Sequence, residues 1–289
     1  MKLSEILKSE KPILSCEVFP PKTSDSYNSV KQATEEIAAL RPAYVSVTCG
    51  AGGAGGGFNV GIAENIRKKY RVEPLVHMTS IYTTAAGIRE SLETLKKAGI
   101  ENILALRGDI PAGEAADAKR DFPHASDLVA EIKRMGDFCV GGACYPEGHP
   151  ESMSIKEDIA FLKLKVDSGC DFLTTQMFFD NTVFYTFLDR ITAAGISVPV
   201  NAGIMPVTNA SQIKRICELS GTVLPKRFMK IVEKFGDDPL SMKQAGIVYA
   251  AEQIIDLYAN GVRGVHLYTM NKPDVAARIM VGMSAIIAG

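Results

Sequence analysis

The chain has 289 residues, 46% of them hydrophobic, and its 32 Lys and Arg residues are balanced by 33 Asp and Glu residues. A net charge near zero is unlike the basic surface of nucleic-acid-binding proteins, so we expect no nucleic acid partner and a local site for any anionic ligand. The sequence shows no signal peptide and no apolar run as long as a membrane span, so we expect no membrane association and, by default, a cytoplasmic protein.

The first half of the chain alternates short runs rich in β-branched residues with segments of helical period. The strands are predicted at 13–18, 43–48, 75–80 and 102–107. The helices are predicted at 29–40, 61–70, 85–98 and 126–135. Gly99 follows the third of these helices directly and is predicted to be its C-cap.

The second half repeats this alternation. Its strands are predicted at 139–145, 172–177, 198–204 and 262–268. Its helices are predicted at 154–168, 183–194, 210–219, 225–234, 240–260 and 273–287, with a capping box at Ser154–Glu157. Eight strands alternating with at least eight helices predict an α/β fold, a (β/α)8 TIM barrel that occupies residues 1–289 as a single domain with extra helices near the C-terminus.

Several other arrangements fit the sequence less well. A two-domain Rossmann protein is disfavoured because no GxGxxG follows a strand and no linker divides the chain. The six cysteines form no CxxC pair and no zinc-type cluster with histidine, so we expect free, mostly buried thiols and no metal site. The glycine-rich segment 50–57 lacks the Lys-Ser/Thr ending of a phosphate loop and is predicted to be a mobile loop, or a lid over the barrel mouth.

The active site of a β/α barrel lies at the C-terminal ends of its strands. Polar and charged residues occupy these ends in this chain. They include Glu17, Thr48, His77, Arg107, Asp109, Tyr145, His149, Gln176, Asp180, Tyr268, Thr269 and Asn271. We therefore expect several charged groups to converge on one mouth.

Glu17 and the Arg107–Asp109 segment each allow a structural and a functional interpretation. Glu17 is either a carboxylate bound to barrel hydroxyls or to Arg107, or a general acid held in place by the two prolines that follow, and we favour the acid. Arg107 either forms an ion pair with Asp109 or offers a planar fork to a phosphate. In the second case Asp109 accepts hydrogen bonds from an amino-heterocycle, and Gly108 allows a close approach of the backbone.

The histidines and one helical charge pair are less specific. His77 alone is typical of a buried structural histidine, whereas His149 lies in a more exposed loop that suits a ligand contact; His266 is interpreted as structural. Asp158 and Lys165 lie two turns apart on one helical face and are either a solvated pair or part of a site. No Lys ends a strand, and HExxH and GxSxG motifs are absent, which disfavours a Schiff-base aldolase, a metal hydrolase and a serine hydrolase.

Eight segments, in order and across essentially the whole chain, together resemble the methylenetetrahydrofolate reductase family. They are Cys16–Thr23, Val45–Thr48, Ala105–Asp109, Tyr145–Pro150, Lys165–Gly169, Thr175–Asp180, Gly203–Val207 and Tyr268–Asn271. The resemblance implies an FAD-dependent barrel that reduces 5,10-methylenetetrahydrofolate to 5-methyltetrahydrofolate, taking hydride from NADH or NADPH. It also implies a place in folate and one-carbon metabolism that supplies methionine biosynthesis, and we expect a homo-oligomer.

The resemblance also implies roles for individual residues. Glu17 corresponds to the acid that helps to open the methylene bridge, and Asp109 to a catalytic carboxylate near the flavin and the pterin. The implied substrate-binding residues are Glu17, Gln176, Gln212 and Lys272. The implied FAD-binding residues are Thr48, His77, Arg107, Gly108, Asp109, Ala143, Tyr145, His149, Asp158 and Lys165.

The departures from the family pattern concern the electron donor. Ile216 stands where many members carry a Phe that stacks on folate or nicotinamide, and Cys49 with the glycine run replaces more polar residues after Thr48. The resemblance covers the barrel and not the regulatory C-terminal domain of eukaryotic members. Two alternatives therefore remain: a flavoprotein subunit that receives electrons from an iron–sulfur partner, and a flavin-free barrel lyase using Glu17 and His77. The sequence contains no iron–sulfur cluster motif, so we do not expect this chain to hold such a cluster itself.

Overall fold

The structure is a computed structural model that describes residues 1–21, 23–49, 58–81, 83–110, 113 and 119–288. Eight parallel strands close into a barrel in chain order, and the last strand pairs with the first. They are β1 (Ile13–Val18), β2 (Tyr44–Val47), β3 (Glu73–Thr79), β4 (Asn102–Leu106), β5 (Cys139–Cys144), β6 (Phe172–Thr175), β7 (Val200–Ile204) and β8 (Gly264–Tyr268). The predicted fold class is confirmed.

Helices follow the strands and surround the barrel. They are α1 (Leu3–Ile6), α2 (Tyr27–Ala39), α3 (Phe58–Asn65), α4 (Ala85–Ala98), α5 (Ala125–Met135), α6 (Ile155–Asp167), α7 (Asn181–Ala193), α8 (Ala210–Ser220), α9 (Lys226–Phe235), α10 (Pro239–Ala259), α11 (Pro273–Gly282) and α12 (Ser284–Ala288). The extra helices near the C-terminus are α8 and α9, which precede α10 between β7 and β8. None of the described helices is both long and apolar enough to cross a bilayer.

Three local predictions need correction. The helix predicted at 61–70 begins at Phe58 and changes to a π-helical turn over Ile66–Tyr70. The helix predicted at 273–287 breaks at Met283, which separates α11 from α12. At the start of α6 only half of the capping box forms, because Ser154 accepts from the Glu157 amide while the Glu157 carboxylate accepts from the amide of Met153.

Alternate residues of each strand face the helices and the barrel interior. The outward set, which includes Val45, Val76 and Val265, is buried in the main hydrophobic core against the helices. The inward residues at the N-terminal end of the barrel are apolar, and the short helix α1 closes that end by packing Leu3 against them. The apolar end layer consists of Ile13, Tyr44, Leu75, Leu104, Cys139 and Phe172. Polar residues follow above this layer, so the interior becomes polar towards the C-terminal mouth.

All six cysteines are free thiols, and four of them are buried. This agrees with the prediction made from their spacing. The segment 50–57, predicted to be a mobile loop or a lid, lies outside the described residues. Among the described residues no group of three or more His, Cys, Asp or Glu side chains is arranged to hold a metal ion.

Candidate active site

A cavity of about 870 Å³ opens at the C-terminal ends of β2 to β5 and extends outward between α5 and α6. Its volume lies within the range of cofactor sites, roughly 300–1,000 Å³. The inner part is lined by the strand ends, and the outer part by the first turn of α5 and by Phe161, Leu162 and Leu164 of α6. Phe161 and Leu164 are largely exposed, so the outer wall presents apolar surface to a ligand.

The residues for which the sequence predicts cofactor binding all line this cavity. They are Thr48, His77, Arg107, Gly108, Asp109, Ala143, Tyr145, His149, Asp158 and Lys165. They come from four strand ends and from α6, and the barrel brings them together across more than a hundred positions of sequence. Their role in binding a cofactor stays a prediction.

Arg107 holds an internal carboxylate in the fork that was predicted to bind phosphate. Its two terminal nitrogens donate to the Glu151 carboxylate at 2.5 and 2.6 Å, and its Nε donates to the Gly108 carbonyl. The ion pair raises the pKa of Arg107 and lowers the pKa of Glu151. The bidentate geometry is the one that a guanidinium also offers to phosphate, so Glu151 occupies the position of an anionic ligand.

Gly108 allows the close backbone approach that the sequence analysis expected. Its φ is +90°, in the left-handed region that favours glycine. A Cβ at this position would lie 2.8 Å from a methyl carbon of Ile81 and 3.3 Å from the Cβ of Thr79. The turn after β4 therefore tolerates no side chain, and its backbone forms part of the cavity wall.

Asp158 and Lys165 are not a solvated charge pair. Asp158 is buried and accepts from the Ser152 hydroxyl at 3.2 Å, while the Lys165 ammonium donates to the Ala143 carbonyl at 2.5 Å. Burial raises the pKa of Asp158 and lowers the pKa of Lys165. The interpretation as a solvated pair is wrong, because α6 directs both groups into the cavity wall, and their role in a site stays a prediction.

Tyr145 and His149 form an aromatic pair beside Asp158. Their rings meet edge to face with centroids 4.6 Å apart. The Nδ1 atom of His149 accepts from the Glu151 amide at 3.1 Å. Burial lowers the pKa of His149, and burial followed by the nearby Asp109 carboxylate raises the pKa of Tyr145 to about 12. Both side chains are therefore neutral hydrogen-bonding groups near neutral pH.

Glu17 lies at the inner edge of the cavity, above the polar layer of the barrel. Its Oε2 atom is 3.7 Å from Nε2 of His77, 3.8 Å from Nε2 of His266 and 3.5 Å from the Ser46 hydroxyl. Burial lowers the pKa of His77 to about 4, and its buried Nε2 atom has no hydrogen-bond partner within the part of the chain that the structure describes. The interpretation that Arg107 binds Glu17 is wrong, because Glu151 occupies the fork of that guanidinium.

The backbone around Glu17 is fixed by the loop that follows β8. The Thr269 hydroxyl donates to the Glu17 carbonyl at 2.5 Å. The Asn271 side chain accepts from the Phe19 amide at 3.0 Å and donates to the Phe19 carbonyl at 2.9 Å. Side chains of the loop after β8 therefore bind the backbone at Glu17 and at Phe19 and fix the end of β1.

The predicted substrate-binding residues lie on the other half of the rim. Gln176 follows β6 and accepts the Met177 amide at 3.0 Å, while Gln212 is exposed on the first turn of α8. The Lys272 ammonium donates to the Thr208 hydroxyl and so joins the loops after β8 and β7. None of the three lines the cavity. Their role stays a prediction.

Three buried polar residues near Glu17, namely His266, Ser15 and Ser46, were not among the predicted site residues. His266, interpreted as structural, forms hydrogen bonds with Ser15 and Ser46 inside the barrel. The period of two along β8 could have indicated this position, because residues 264, 266 and 268 alternate with the outward Val265 and Leu267. Ile216 is half-buried against the cluster of α8, α9 and α10, so no aromatic ring is available at that position.

Comparison with known proteins identifies a matching family model and several proteins of similar sequence. A family model described as methylenetetrahydrofolate reductase matches residues 2–283. A Pectobacterium carotovorum protein named 5,10-methylenetetrahydrofolate reductase is 34% identical over 266 residues, which cover 92% of this chain and 88% of that protein. An Arabidopsis thaliana protein named methylenetetrahydrofolate reductase (NADH) 1 is 32% identical over 298 residues, which cover 99% of this chain. The chain spans about half the length of that plant relative, 50%.

Among solved structures the fold recurs at low sequence identity. A Clostridium thermocellum protein described as binding two copies of 5-methyl-5,6,7,8-tetrahydrofolic acid matches with a TM-score of 0.64 and 14% identity. The match covers 100% of both chains. At this identity the likeness supports the barrel fold alone.

Proposed function

The chain belongs to the methylenetetrahydrofolate reductase family, and we propose on that premise that it binds FAD and reduces 5,10-methylenetetrahydrofolate to 5-methyltetrahydrofolate. The observation that supports this most directly is the meeting of the ten predicted cofactor residues in one cavity, with the Glu17 carboxyl at its inner edge. A catalytic acid beside a cofactor-sized cavity is the arrangement that the reaction needs.

The cavity suits FAD in size and in chemistry. Arg107 and Lys165 supply positive charge for a diphosphate, and Asp158 supplies an acceptor for ribose hydroxyls. His77 lines the inner part of the cavity, and its buried Nε2 atom, which has no hydrogen-bond partner among the described residues, lies 3.7 Å from the Glu17 carboxyl. Exposed apolar side chains on the outer wall, Phe161 and Leu164, offer contact area for a planar ring.

In the proposed reaction, the protein supplies orientation and a proton. The Glu17 carboxyl donates its proton to a bridge nitrogen of the substrate, which opens the methylene bridge to an iminium. Asp109 and Gln176 hold the pterin through its amino and amide groups. When bound, FAD supplies the hydride transfer that connects the donor half-reaction with the folate half-reaction.

We propose NADH as the first electron donor to test, with NADPH as the second. The name of the Arabidopsis thaliana relative specifies NADH. The alternative of a partner subunit as electron donor remains open, because Ile216 provides no aromatic ring for a nicotinamide to stack on. The homo-oligomer and the cytoplasmic location remain predictions.

The test is an anaerobic titration of the purified protein with NADH and then NADPH, followed by the flavin absorbance. We expect a yellow protein whose flavin bleaches on reduction and recovers its colour when methylenetetrahydrofolate is added. Glu17→Gln should bleach normally but recover at least about a hundredfold more slowly, because removing a general acid costs about 10²–10⁴ in rate. Glu10→Gln, at an exposed carboxylate before β1, is the matched control and should behave like the wild type.

Each alternative predicts a different outcome. A protein that neither carries nor binds FAD would contradict the proposal and favour the flavin-free lyase. Flavin that dithionite reduces but neither nicotinamide reduces would favour an electron-donating partner subunit. Normal colour recovery in Glu17→Gln would remove that residue from the mechanism.

A further inference from the structure

Beneath Glu17, a chain of buried hydrogen bonds crosses the interior of the barrel. His266, Ser15 and Ser46 are at most 1% exposed. Nδ1 of His266 lies 2.7 Å from the Ser15 hydroxyl, and Nε2 lies 3.0 Å from the Ser46 hydroxyl. The Ser46 hydroxyl in turn lies 3.5 Å from Oε2 of Glu17. The imidazole is thus connected to the carboxyl through one serine.

The hydrogen atoms in this series of hydrogen bonds can be assigned by starting at Ser15. The Ser15 hydroxyl donates to the Val265 carbonyl at 3.1 Å, which uses the only hydrogen that this hydroxyl has. With its hydrogen on the Val265 carbonyl, Ser15 accepts from His266, and Nδ1 then carries a proton. In a neutral ring Nε2 is then an acceptor, and its hydrogen-bond partner among the described residues is the Ser46 hydroxyl.

Two protonation states give every group in this series a hydrogen-bond partner. In both states, Glu17 and His266 together hold one transferable proton. In the first state His266 is neutral, Ser46 donates to Nε2, and a protonated Glu17 donates to Ser46. In the second state the imidazolium donates from Nε2 to Ser46, and Ser46 donates to the Glu17 carboxylate. A carboxylate facing a neutral ring would compete with Nε2 for the single Ser46 hydrogen. The Glu17 side chain is 20% exposed, so the buried ring nitrogen would bear the cost of losing that hydrogen bond.

The other titratable side chains that face His266 do not compete for this proton. They are His77 from β3, Tyr44 from β2 and Tyr268 from β8; the Tyr44 ring stacks on His266 at 5.6 Å and the Tyr268 ring meets it edge to face at 5.5 Å. Burial raises the pKa values of both tyrosines and lowers the pKa of His77 to about 4. All three are neutral near neutral pH, so the proton is shared between Glu17 and His266 alone.

We propose that His266 is the proton-holding partner of Glu17, and that Ser46 passes the proton between them. The proposal rests on the proposed function, in which Glu17 protonates the substrate. In the imidazolium state, the Nε2–H bond breaks and its proton passes to the Ser46 oxygen, while the Ser46 hydrogen passes to Oε2. This leaves a neutral ring and a protonated Glu17, which then gives that one proton to the substrate nitrogen. No electron moves. His266 acts through Glu17 and is a positioning residue.

The first test separates the two half-reactions by stopped flow across the pH range. His266→Gln and Ser46→Ala should slow flavin reoxidation by methylenetetrahydrofolate at least about tenfold near pH 7.5. In both variants the pH above which this rate falls should move lower by at least about one unit, towards the ordinary range of a lone carboxyl. Flavin reduction by the nicotinamide needs no proton from Glu17 and should change less than about twofold.

Ser46→Thr is the matched control, because it keeps the hydroxyl, and its reoxidation rate should stay within about threefold of the wild type. If His266→Gln fails to fold, the Ser46→Ala and Ser46→Thr pair decides the question. Wild-type pH profiles in folded His266→Gln or in Ser46→Ala would overturn the proposal, and so would an equal loss in both half-reactions.

The second test does not depend on activity. Nitrogen-15 NMR of the purified protein resolves the tautomers of its four histidines, and His266→Gln assigns the signal of His266. We expect a neutral ring with its proton on Nδ1, and loss of that preference in Ser15→Ala. A neutral ring with its only proton on Nε2 would overturn the proposal. If the wild type fails to reduce methylenetetrahydrofolate, the proposed function fails, while the NMR result still decides whether the hydrogen-bonded chain exists.

Discussion

The buried, neutral His77 makes the stability of this protein depend on pH in a way that can be calculated. The ring is 6% exposed, and burial lowers its pKa from 6.5 to about 4. The unfolded chain therefore binds a proton at a pH at which the folded chain does not. The stability associated with the neutral ring is fully present above pH 6.5 and is lost as the pH falls towards 4.

Integrating these two pKa values between about pH 7.5 and about pH 4.5 gives a loss of about 2.5 kcal/mol from this residue. His77→Gln replaces the ring by an amide that does not titrate. The wild type should therefore lose about 2.5 kcal/mol more than this variant over the same pH interval. His124→Gln, at an exposed histidine at the start of α5, is the matched control and should follow the wild type.

The assay is urea unfolding of ligand-free protein, followed by circular dichroism at both pH values. The quantity compared is the change in unfolding free energy with pH, because the absolute stabilities of the variants differ for other reasons. If His77→Gln loses as much stability as the wild type, the ring is not held neutral in the folded protein. The same result would remove the reason for excluding His77 as a proton carrier beside Glu17.

Three further outcomes follow from the cavity and the rim. Arg107→Lys should weaken FAD binding at least about tenfold, because the two-pronged guanidinium is lost. Glu151→Gln should strengthen FAD binding up to about fivefold, because it frees that guanidinium from its ion pair. Flavin fluorescence measures both affinities. Gly108→Ala should destabilise the fold by about 1–3 kcal/mol in thermal unfolding, because the φ of Gly108 is +90° and an added methyl group would lie 2.8 Å from a neighbouring side chain. Gly61→Ala is the control and should be neutral or stabilising, because Gly61 lies in open space on α3. Tyr268→Phe should cost about 1 kcal/mol in urea unfolding, because it removes a 2.6 Å hydrogen bond to a backbone carbonyl across the barrel.

The sequence alone was sufficient to predict the barrel and the membership of its rim. Strand runs are short and β-branched, helices carry their own start and stop signals, and parallel strands joined by helices have few ways to close. Because every strand end meets the same mouth, the position of a residue at the end of a strand predicts its neighbours there. Thr48, His77, Arg107, Asp109, Tyr145 and His149 could therefore be placed at the mouth in advance, whereas Ala143, Asp158 and Lys165 were named from the family resemblance.

Only the tertiary structure decided which partner each of these residues has. Arg107 pairs with Glu151, 44 positions away, and His266 bonds to Ser15 and Ser46 across 251 and 220 positions. The His266 contacts form when β8 pairs with β1 and closes the barrel, and no local sequence pattern predicts that pairing. A sequence determines which side chains face the mouth, because alternation along a strand is a local property. Hydrogen-bond partners and buried pKa shifts depend instead on distances of a few ångströms between remote segments, which only the closed barrel sets.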